Sequence, residues 1–317
     1  MDRVLVTGGA GFIGSNFVRY LLEASPCKVV NLDRLTYAGN LNNIKDLPDK
    51  NRHRFVKGDI RNTKLVNSLV KEVDAVVNFA AESHVDRSIQ TPRLFLETNL
   101  LGTQVLLEAC RRFGARFEQI STDEVYGSRS EGSFTENDLL APSSPYSASK
   151  AAADLLVNAY HVTYDMDVTV TRSTNNYGPN QHPEKLIPRL ITNALRGKPL
   201  PIYGSGQNVR DWMFVEDNCR GILQVLQKGQ KGQVYNIAGG NERRNIQIAE
   251  EILRCLSLPE TMIDFVADRP GHDYRYSIDC ERIHRLGWRP QVGFEEGIRK
   301  TIDWYAENEW WWRHLTH

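Results

Sequence analysis

The sequence predicts an α/β fold, a doubly wound parallel sheet with a second, smaller lobe towards the C-terminus. Short runs rich in β-branched residues alternate with segments whose apolar residues recur every three or four positions. This alternation is typical of parallel strands covered by helices on both faces. Beyond about residue 174 the alternation loosens, and glycine- and proline-rich segments appear. We therefore expect one domain over residues 1–173 and a second lobe over residues 174–317 that is interleaved with the first.

Six runs are the predicted strands, in chain order RVLVTG, KVVNLD, HRFVKGD, AVVNFA, FEQIST and VTVTRS. Residues 15–24 and 99–113 carry apolar residues at helical spacing between them. A chain of 317 residues is near the upper limit for a single core, which fits one large domain plus a smaller one.

The bulk composition argues against several classes of protein. Lys+Arg and Asp+Glu both number 39, so the formal net charge is zero and a basic nucleic-acid surface is not indicated. No run of about 18 apolar residues is present, so we expect no membrane span. The first residues, MDRVLVTGGAGFIG, lack the basic flank and apolar core of a secretory signal. Five scattered cysteines without a CxxC pair, and eight histidines without ligand spacing, predict reduced thiols, a cytoplasmic protein and no metal site.

A glycine-rich turn follows the first predicted strand and opens the first predicted helix. Gly8, Gly11 and Gly14 stand in VLVTGGAGFIG, with Phe12 and Ile13 between the last two. Glycines at this junction allow a tight turn, close approach of a pyrophosphate and close helix packing, and the helix start favours an anion. An ordinary turn is the less favoured interpretation. The pattern predicts a Rossmann-like dinucleotide site.

Acidic and small residues at the next strand ends fit the same site. Asp33 lies nineteen positions after Gly14 (33 − 14 = 19), where a carboxylate holds ribose hydroxyls and disfavours a 2′-phosphate. We therefore expect NAD rather than NADP, although Arg34 opposes this preference slightly. Asp59 and Ile60, after the third strand, are expected near the adenine, and a simple helix cap explains Asp59 equally well. Two small residues after the fourth strand leave room for the cofactor or serve close packing, Ala80 and Ala81.

Tyr146 and Lys150 lie four residues apart in PYSASKAAADLLVNAY, a strong helix pattern that begins with Pro145. They therefore share one helical face. An ammonium beside a phenol is expected to lower the pKa of the phenol. The pair can then take a proton from a sugar hydroxyl while hydride leaves for a nicotinamide. Such a pair alone is usually surface, but the glycine turn upstream favours catalysis.

STDEVYG places Thr122, Asp123 and Glu124 together after a buried strand. The segment is either a solvated strand end or a site that needs two carboxyl groups in different protonation states. Alternation along a strand puts Thr122 and Glu124 on one face and Asp123 on the other. For all three to converge, the strand must end near Thr122.

These segments carry a family resemblance. The glycine pattern, NFAAESHVDRS and YSASK together resemble extended short-chain dehydrogenase/reductases that act on nucleotide sugars. The resemblance is closest to nucleoside-diphosphate-glucose 4,6-dehydratases, typically those of dTDP-glucose, and runs from about residue 3 to residue 305. It is carried by DRLTYAGNLNNI, STDEVYG, PSSPYSASKA, NNYGPNQHPEKLIP, RDWMFVEDN and ADRPGHDYRYSID.

The resemblance implies a reaction and roles. C4 of the glucose is oxidised, water is eliminated across C5 and C6, and hydride returns to C6, with NAD retained as a bound prosthetic group. Glu124 is implied as the base for the C5 proton, Asp123 as the acid for the C6 hydroxyl, and Thr122 as a hydrogen-bonding group at the C4 oxygen. Related decarboxylases and GDP-mannose dehydratases tend to have another residue in place of Asp123. Thymine and uracil nucleotides are not distinguished.

Further residues are implied as contacts of the nucleotide sugar: His84, Arg87, Asn176, Lys185, Arg210, Asn245, Arg269 and His272. Arg210 suits bidentate phosphate binding, with an ion pair to Asp211 or Asp217 as the alternative. For Arg87 the alternative is a pair with Asp86. Asn99 is either a helix N-cap or a residue that shapes the active site.

Three alternatives and two surfaces stay open. A 4-epimerase or decarboxylase on the same fold leaves Asp123 without a role, and a dinucleotide-sensing protein without turnover predicts a broken Tyr146–Lys150 pair. Residues 101–113 and 151–164 form either a homodimer interface, as in the family, or ordinary packing within one subunit. The run Trp310–Trp312 cannot bury all three indoles on one helical face, so partial packing is expected.

Overall fold

A computed structural model describes residues 1–268 and 272–316. Its strands are β1 Arg3–Thr7, β2 Lys28–Asp33, β3 His53–Lys57, β4 Ala75–Asn78, β5 Arg116–Thr122, β6 Val168–Ser173, β7 Asn175–Tyr177, β8 Leu200–Tyr203, β9 Val209–Phe214, β10 Val234–Ile237, β11 Glu242–Arg244 and β12 Ile263–Val266.

The helices are α1 Phe12–Ala24, α2 Thr63–Val70, α3 Val85–Gln90, α4 Pro92–Phe95, α5 Gly102–Phe113, α6 Pro145–Tyr164, α7 Leu186–Leu195, α8 Val215–Lys228, α9 Asn245–Cys255, α10 Glu281–Arg285, α11 Phe294–Glu307 and α12 Glu309–Trp312. A π-helical stretch, Leu96–Leu101, joins α4 to α5, and a 3₁₀ turn, Asp123–Tyr126, follows β5. None of the described helices is long and apolar enough to cross a membrane.

A seven-stranded sheet forms the centre of the molecule, in the order β10-β6-β5-β4-β1-β2-β3. Every neighbouring pair in it is parallel. Apolar residues of α1 and α8, among them Phe17 and Ile222, cover one face. Apolar residues of α2, α5 and α6, among them Val66, Leu106 and Val157, cover the other. The predicted doubly wound fold is confirmed, and the strand order reverses between β1 and β4, where ligands bind in folds of this kind.

The second lobe gathers a three-stranded sheet, β11-β9-β7, and a two-stranded pair, β12-β8. Helices α7, α9 and α11 share one apolar cluster there. β10 and α8 also come from the later part of the chain, yet they pack with the seven-stranded sheet. The division at residue 173 stays a sequence-based prediction.

The C-terminal tryptophans divide as their helix geometry requires. Trp311 and Trp312 are 2% and 1% exposed, whereas Trp310 is 55% exposed. The indole N–H of Trp312 donates to the carbonyl of Tyr305 at 2.7 Å. The expected partial packing is therefore the observed one.

Candidate active site

The glycine-rich turn leaves no room for side chains at two of its positions. Gly8 has φ +69°, and a Cβ there would lie 2.7 Å from the backbone nitrogen of Ala80. A Cβ at Gly14 would lie 2.3 Å from the carbonyl oxygen of Gly8. Gly11 has an ordinary φ of −80°, and its Cβ would lie 3.2 Å from that same oxygen. The turn is thus a cradle at the start of α1 that Gly8 and Gly14 keep open.

A cleft with about 1280 Å³ of empty space opens at the switch point of the sheet. It runs from the glycine turn, past the ends of β2 and β3, to the start of α6. Every residue predicted to contact the cofactor lines it: Gly8, Gly11, Phe12, Ile13, Gly14, Asp33, Asp59, Ile60, Ala80, Ala81, Tyr146 and Lys150.

Asp33 is held rigidly at the end of β2. Its two carboxylate oxygens accept the backbone N–H groups of Ala10 at 2.9 Å and Leu35 at 2.7 Å. Burial raises the pKa of Asp33, and these two hydrogen bonds oppose the shift. Each oxygen keeps a second lone pair, so the carboxylate can still accept ribose hydroxyls.

Asp59 is not the cap of the following helix, since Asn62 caps α2 by accepting the N–H of Leu65. Asp59 instead accepts from the Arg61 guanidinium at 2.8 Å and lies 3.4 Å from that of Arg34. Burial would raise the pKa of Asp59, but the contacts with Arg61 lower it on balance. Arg34, which opposed the preference for NAD, is therefore engaged by a carboxylate.

The helix α6 begins with a capping box between Ser144 and Ser147 and a proline at its first position. This start satisfies the first backbone N–H groups of the helix. Lys150 Nζ donates to the carbonyl of Ile120 at 2.5 Å. Burial lowers the pKa of Lys150 to about 8.

The expected lowering of the pKa of Tyr146 is wrong. Burial, then the negative charges of Glu124 and Asp123, raise it above its usual range, and the Thr122 hydroxyl opposes them. In the sequence, Asp123 and Glu124 are adjacent and indicate an effect only on each other's protonation. Their effect on the pKa of the Tyr146 phenol arises because the fold brings the three side chains together.

Strand β5 ends at Thr122, as convergence of the three polar residues required. The chain then turns into the 3₁₀ turn, whose N-cap is Thr122 itself. The Thr122 hydroxyl donates to Asp123 Oδ1 at 3.2 Å and accepts the N–H of Glu124 at 3.3 Å. A contact with Tyr146 adds the fourth group to this cluster.

Asp123 is 3% exposed, and its Oδ2 has no hydrogen-bond partner among the residues the structure describes. Burial, then the charge of Glu124, raises the pKa of Asp123 well above its usual range, against the opposing charge of Arg210. Both effects favour the protonated form of the Asp123 carboxyl group. The roles of Asp123 as the acid and Glu124 as the base stay a prediction.

Arg87 pairs with a residue that the sequence did not single out. Its guanidinium lies 3.5 Å from the Glu184 carboxylate and 3.7 Å from the ring centre of Tyr37. His84 Nε2 lies 3.7 Å from the same carboxylate. Burial, then the Lys185 charge, lowers the pKa of His84. Tyr37 and Glu184 lie in two of the segments that carry the family resemblance, DRLTYAGNLNNI and NNYGPNQHPEKLIP. No other feature of the sequence indicates these two residues.

Some of the second-lobe residues predicted to contact the nucleotide sugar have hydrogen-bonded or ion-paired end groups, and others carry a buried oxygen without a partner among the described residues. Lys185 lines the cleft, and its Nζ donates to the Ser83 carbonyl at 2.9 Å. The amide oxygens of Asn176 and Asn245 are buried without hydrogen-bond partners within residues 1–268 and 272–316. His272 Nδ1 lies 2.7 Å from Asp268 Oδ1. Arg269 lies outside the described residues.

Arg210 contacts residues 273, 274 and 276, which follow His272 in the chain. It donates to the carbonyls of Asp273 at 2.8 Å and Tyr274 at 3.2 Å, and lies 4.2 Å from the ring centre of Tyr276. The alternative partners are engaged elsewhere: Asp211 accepts the N–H groups of Gly240 and Asn241, and Asp217 pairs with Arg220.

Asn99 is not an N-cap, because it lies inside the π-helical stretch and is 1% exposed. Its Oδ1 accepts the N–H of Glu82 at 2.8 Å, and its Nδ2 donates to the Glu82 carbonyl and to Ser149 Oγ. The residue thus ties the loop after β4 to α6. Across the described part of the chain, no group of three or more His, Cys, Asp or Glu is placed to hold a metal ion.

The site and fold together define an extended short-chain dehydrogenase/reductase. The profile of the GDP-mannose 4,6 dehydratase family matches residues 5–301, and the chain belongs to that family. The predicted resemblance is thereby confirmed.

Individual relatives narrow the comparison. The low-salt glycan biosynthesis protein Agl12 of Haloferax volcanii is 55% identical, over 96% of this chain and 99% of that protein. The dTDP-glucose 4,6-dehydratase of Streptomyces niveus is 51% identical, over 99% and 95%. DesIV of Streptomyces venezuelae, a dTDP-glucose 4,6-dehydratase crystallised with NAD, superposes with a TM-score of 0.97 at 52% identity, over 99% and 100% of the two chains. The UDP-glucose 4-epimerase of Thermus thermophilus is more distant, with a TM-score of 0.89 at 33% identity, over 96% and 99%.

Proposed function

We propose that this chain is an NAD-dependent dTDP-glucose 4,6-dehydratase that forms the 4-keto-6-deoxy sugar nucleotide. One observation carries the assignment: Asp123, a buried carboxyl group whose environment favours its protonated form, lies beside a second acid, Glu124, next to Tyr146. Elimination of water needs a base for the C5 proton and an acid for the C6 hydroxyl, whereas inversion at C4 needs neither of these two groups. The comparisons support the same assignment, because the two dTDP-glucose 4,6-dehydratases named above are 51% and 52% identical over nearly the full chain.

The cleft fits NAD. The cradle kept open by Gly8 and Gly14 offers the start of α1 to the pyrophosphate. Asp33 accepts the adenosine ribose hydroxyls, and Asp59 borders the adenine end of the cleft. When bound here, NAD would supply the hydride acceptor for C4 and the hydride donor for C6 within one turnover.

The remaining steps are proton movements on this chain's own side chains. Tyr146 takes the proton of the C4 hydroxyl, and Thr122 donates a hydrogen bond to the C4 oxygen. The C4 ketone acidifies the C5–H, whose proton passes to the Glu124 carboxylate, and Glu124 returns a proton to C5 when C6 receives hydride. Asp123 gives its proton to the C6 hydroxyl, which leaves as water. Since Asp123 and Glu124 follow one another at a strand end, the acid and the base meet adjacent carbons of one sugar.

The groups for the nucleotide diphosphate come from the second lobe and from the start of α3. Lys185 lies at the boundary between the cleft and this lobe, and the buried amide oxygens of Asn176 and Asn245 are available as acceptors. Arg210, His84, Arg87 and His272 complete the set, with Arg210 as the phosphate ligand.

Homodimerisation and a cytoplasmic location belong to the same proposal. Leu101, just before α5, and Leu155 and Val162 on α6 are 54%, 60% and 74% exposed, an apolar surface that a second copy would cover. All five cysteines are free, as expected in a reducing compartment.

The test is proton NMR of the purified protein with dTDP-glucose, and separately with UDP-glucose, in deuterated water without added NAD. A new C6 methyl signal with deuterium at C5 is expected, faster with dTDP-glucose. Inversion at C4, or no reaction even with NAD supplied, would overturn the roles of Asp123 and Glu124.

A further inference from the structure

Asp154 lies one helical turn beyond Lys150, and the chemistry above does not use it. Tyr146, Lys150 and Asp154 follow each other at four-residue spacing on α6, so they share one face. Consecutive residues of β5 meet that face: Ile120 accepts from Lys150, and Ser121 Oγ donates to Asp154 Oδ2 at 2.9 Å. Asp154 is 2% exposed.

The Asp154 carboxylate is fixed from a second direction by β6. Arg172 Nε donates to the same Oδ2 at 2.9 Å, and Arg172 also donates to the Tyr126 hydroxyl at 2.8 Å. Oδ1 of Asp154 is buried and has no hydrogen-bond partner among the described residues. The Asp154 carboxylate therefore pairs with one buried cation, Arg172, and lies one helical turn from a second, Lys150.

Lys150 depends on that carboxylate electrostatically. Burial lowers the pKa of Lys150 to about 8, and the Asp154 charge opposes the shift. A neutral side chain at position 154 would leave burial unopposed. The amine would then lose its proton closer to neutral pH and could no longer stabilise negative charge on Tyr146.

We propose that Asp154 is a positioning residue of the dehydratase, which keeps Lys150 in its ammonium form and fixes α6 against the end of β5. The effect of Asp154 on turnover rests on the proposed function. The effect of the Asp154 charge on proton binding by Lys150 does not depend on that function.

A purely structural role makes a different prediction. If Asp154 serves only as the partner of Arg172, removing the Asp154 charge and removing the Arg172 charge have the same effect on the pKa of Lys150. If Asp154 acts on Lys150, Asp154→Asn weakens proton binding by Lys150. Arg172→Gln strengthens it, because the Asp154 charge is then uncompensated. Neither variant replaces any of the other titratable groups around this site: Tyr126, Tyr146, Asp123 and Glu124.

The experiment is a pH titration by lysine ¹³Cε NMR on the full chain, with the Lys150 signal assigned by its loss in Lys150→Met. In Asp154→Asn the Lys150 pKa should fall by about one unit or more, a tenfold loss of proton affinity. In Arg172→Gln it should rise. No change in Asp154→Asn, or shifts of the same sign in both variants, overturns the proposal.

A second comparison covers the case that Asp154→Asn does not fold, since it leaves a buried guanidinium unpaired. Arg172→Gln and the double variant Arg172→Gln/Asp154→Asn differ only in the Asp154 charge, and neither contains that guanidinium. A lower Lys150 pKa in the double variant supports the proposal, and equal values overturn it.

Turnover provides the functional readout. The alkaline limb of the kcat profile should move to lower pH in Asp154→Asn and return towards the wild-type position in Asp154→Glu. An unmoved limb overturns the catalytic part of the proposal. If the wild type forms no C6 methyl group, the proposed function has failed, and the titration still decides whether Asp154 holds the proton on Lys150.

Discussion

The indole N–H of Trp311 donates to Oδ1 of Asn43 at 2.8 Å, which joins the C-terminal end of the chain to the loop after β2. Asn43 in turn donates through Nδ2 to the carbonyl of Ala10, within the glycine-rich turn, at 2.9 Å. The C-terminal helix therefore supports the cofactor cradle through one intervening side chain.

Replacing Trp311 tests this support. Trp311→Ala removes a buried indole and should lower the free energy of unfolding by about 3–5 kcal/mol. It should also weaken NAD binding, because Asn43 loses a partner. Trp310→Ala, on the 55% exposed neighbour, is the control and should change stability by less than about 1 kcal/mol. Urea denaturation and NAD titration measure both effects, and equal losses in the two variants would contradict the link.

Gly8→Ala should abolish NAD binding, since the new Cβ would lie 2.7 Å from the Ala80 nitrogen and the residue has φ +69°. Gly114→Ala is a matched control, with φ +74° and no atom within 4 Å of its Cβ. Both variants carry the backbone cost of a positive φ, about 1 kcal/mol. Isothermal titration with NAD should show wild-type affinity for Gly114→Ala only. Retained binding in Gly8→Ala would place the cofactor elsewhere.

Asp123→Asn should lower the rate of C6 methyl formation about 10²- to 10⁴-fold, the usual range for loss of a general acid. Oxidation at C4 should persist, so absorbance near 340 nm should build up with dTDP-glucose. Because burial favours the neutral form of the Asp123 carboxyl, the amide should not destabilise the chain at pH 7. Thermal unfolding provides that control. An unchanged dehydration rate would remove Asp123 from the mechanism.

Glu118 predicts a pH dependence of stability. It is fully buried in the middle of β5, and both carboxyl oxygens are without hydrogen-bond partners in the described residues. Burial raises its pKa well above the usual range, with the Arg116 charge opposing. Folding therefore takes up a proton above the unfolded pKa of about 4.3, and stability falls as the pH rises from there towards the folded pKa.

Glu118→Gln should consequently be more stable than the wild type at pH 8, by a margin that shrinks towards pH 4. Denaturant unfolding between pH 4 and pH 8 measures the margin. The exposed Glu131→Gln is the control and should show none. A margin independent of pH would mean that Glu118 is ionised in the folded protein.

The sequence predicts what depends on local pattern. Glycine spacing, the acid after β2 and the strand–helix alternation located the sheet, the cleft and its lining residues. The end of β5 at Thr122 could be stated only as a condition, because it depends on where the 3₁₀ turn begins. The raised pKa of Tyr146 depends on side chains that the fold brings together, and so do the contacts of Arg87 with Glu184 and Tyr37. No spacing rule reports such contacts. The same applies to the hydrogen bond between Asn99 and the backbone of Glu82, because the position of Asn99 in a helical segment does not indicate it.

Strand β10 has a consequence for the order of synthesis. It closes the edge of the sheet beside β6, and α8 covers the apolar face of α1, but both are translated after α7, β8 and β9. A nascent chain that has emerged only as far as β6 still has an open strand edge and an uncovered helix. The cofactor half cannot be completed on the ribosome before much of the substrate half exists. A gene split at residue 173 should therefore yield two insoluble halves rather than two portable modules.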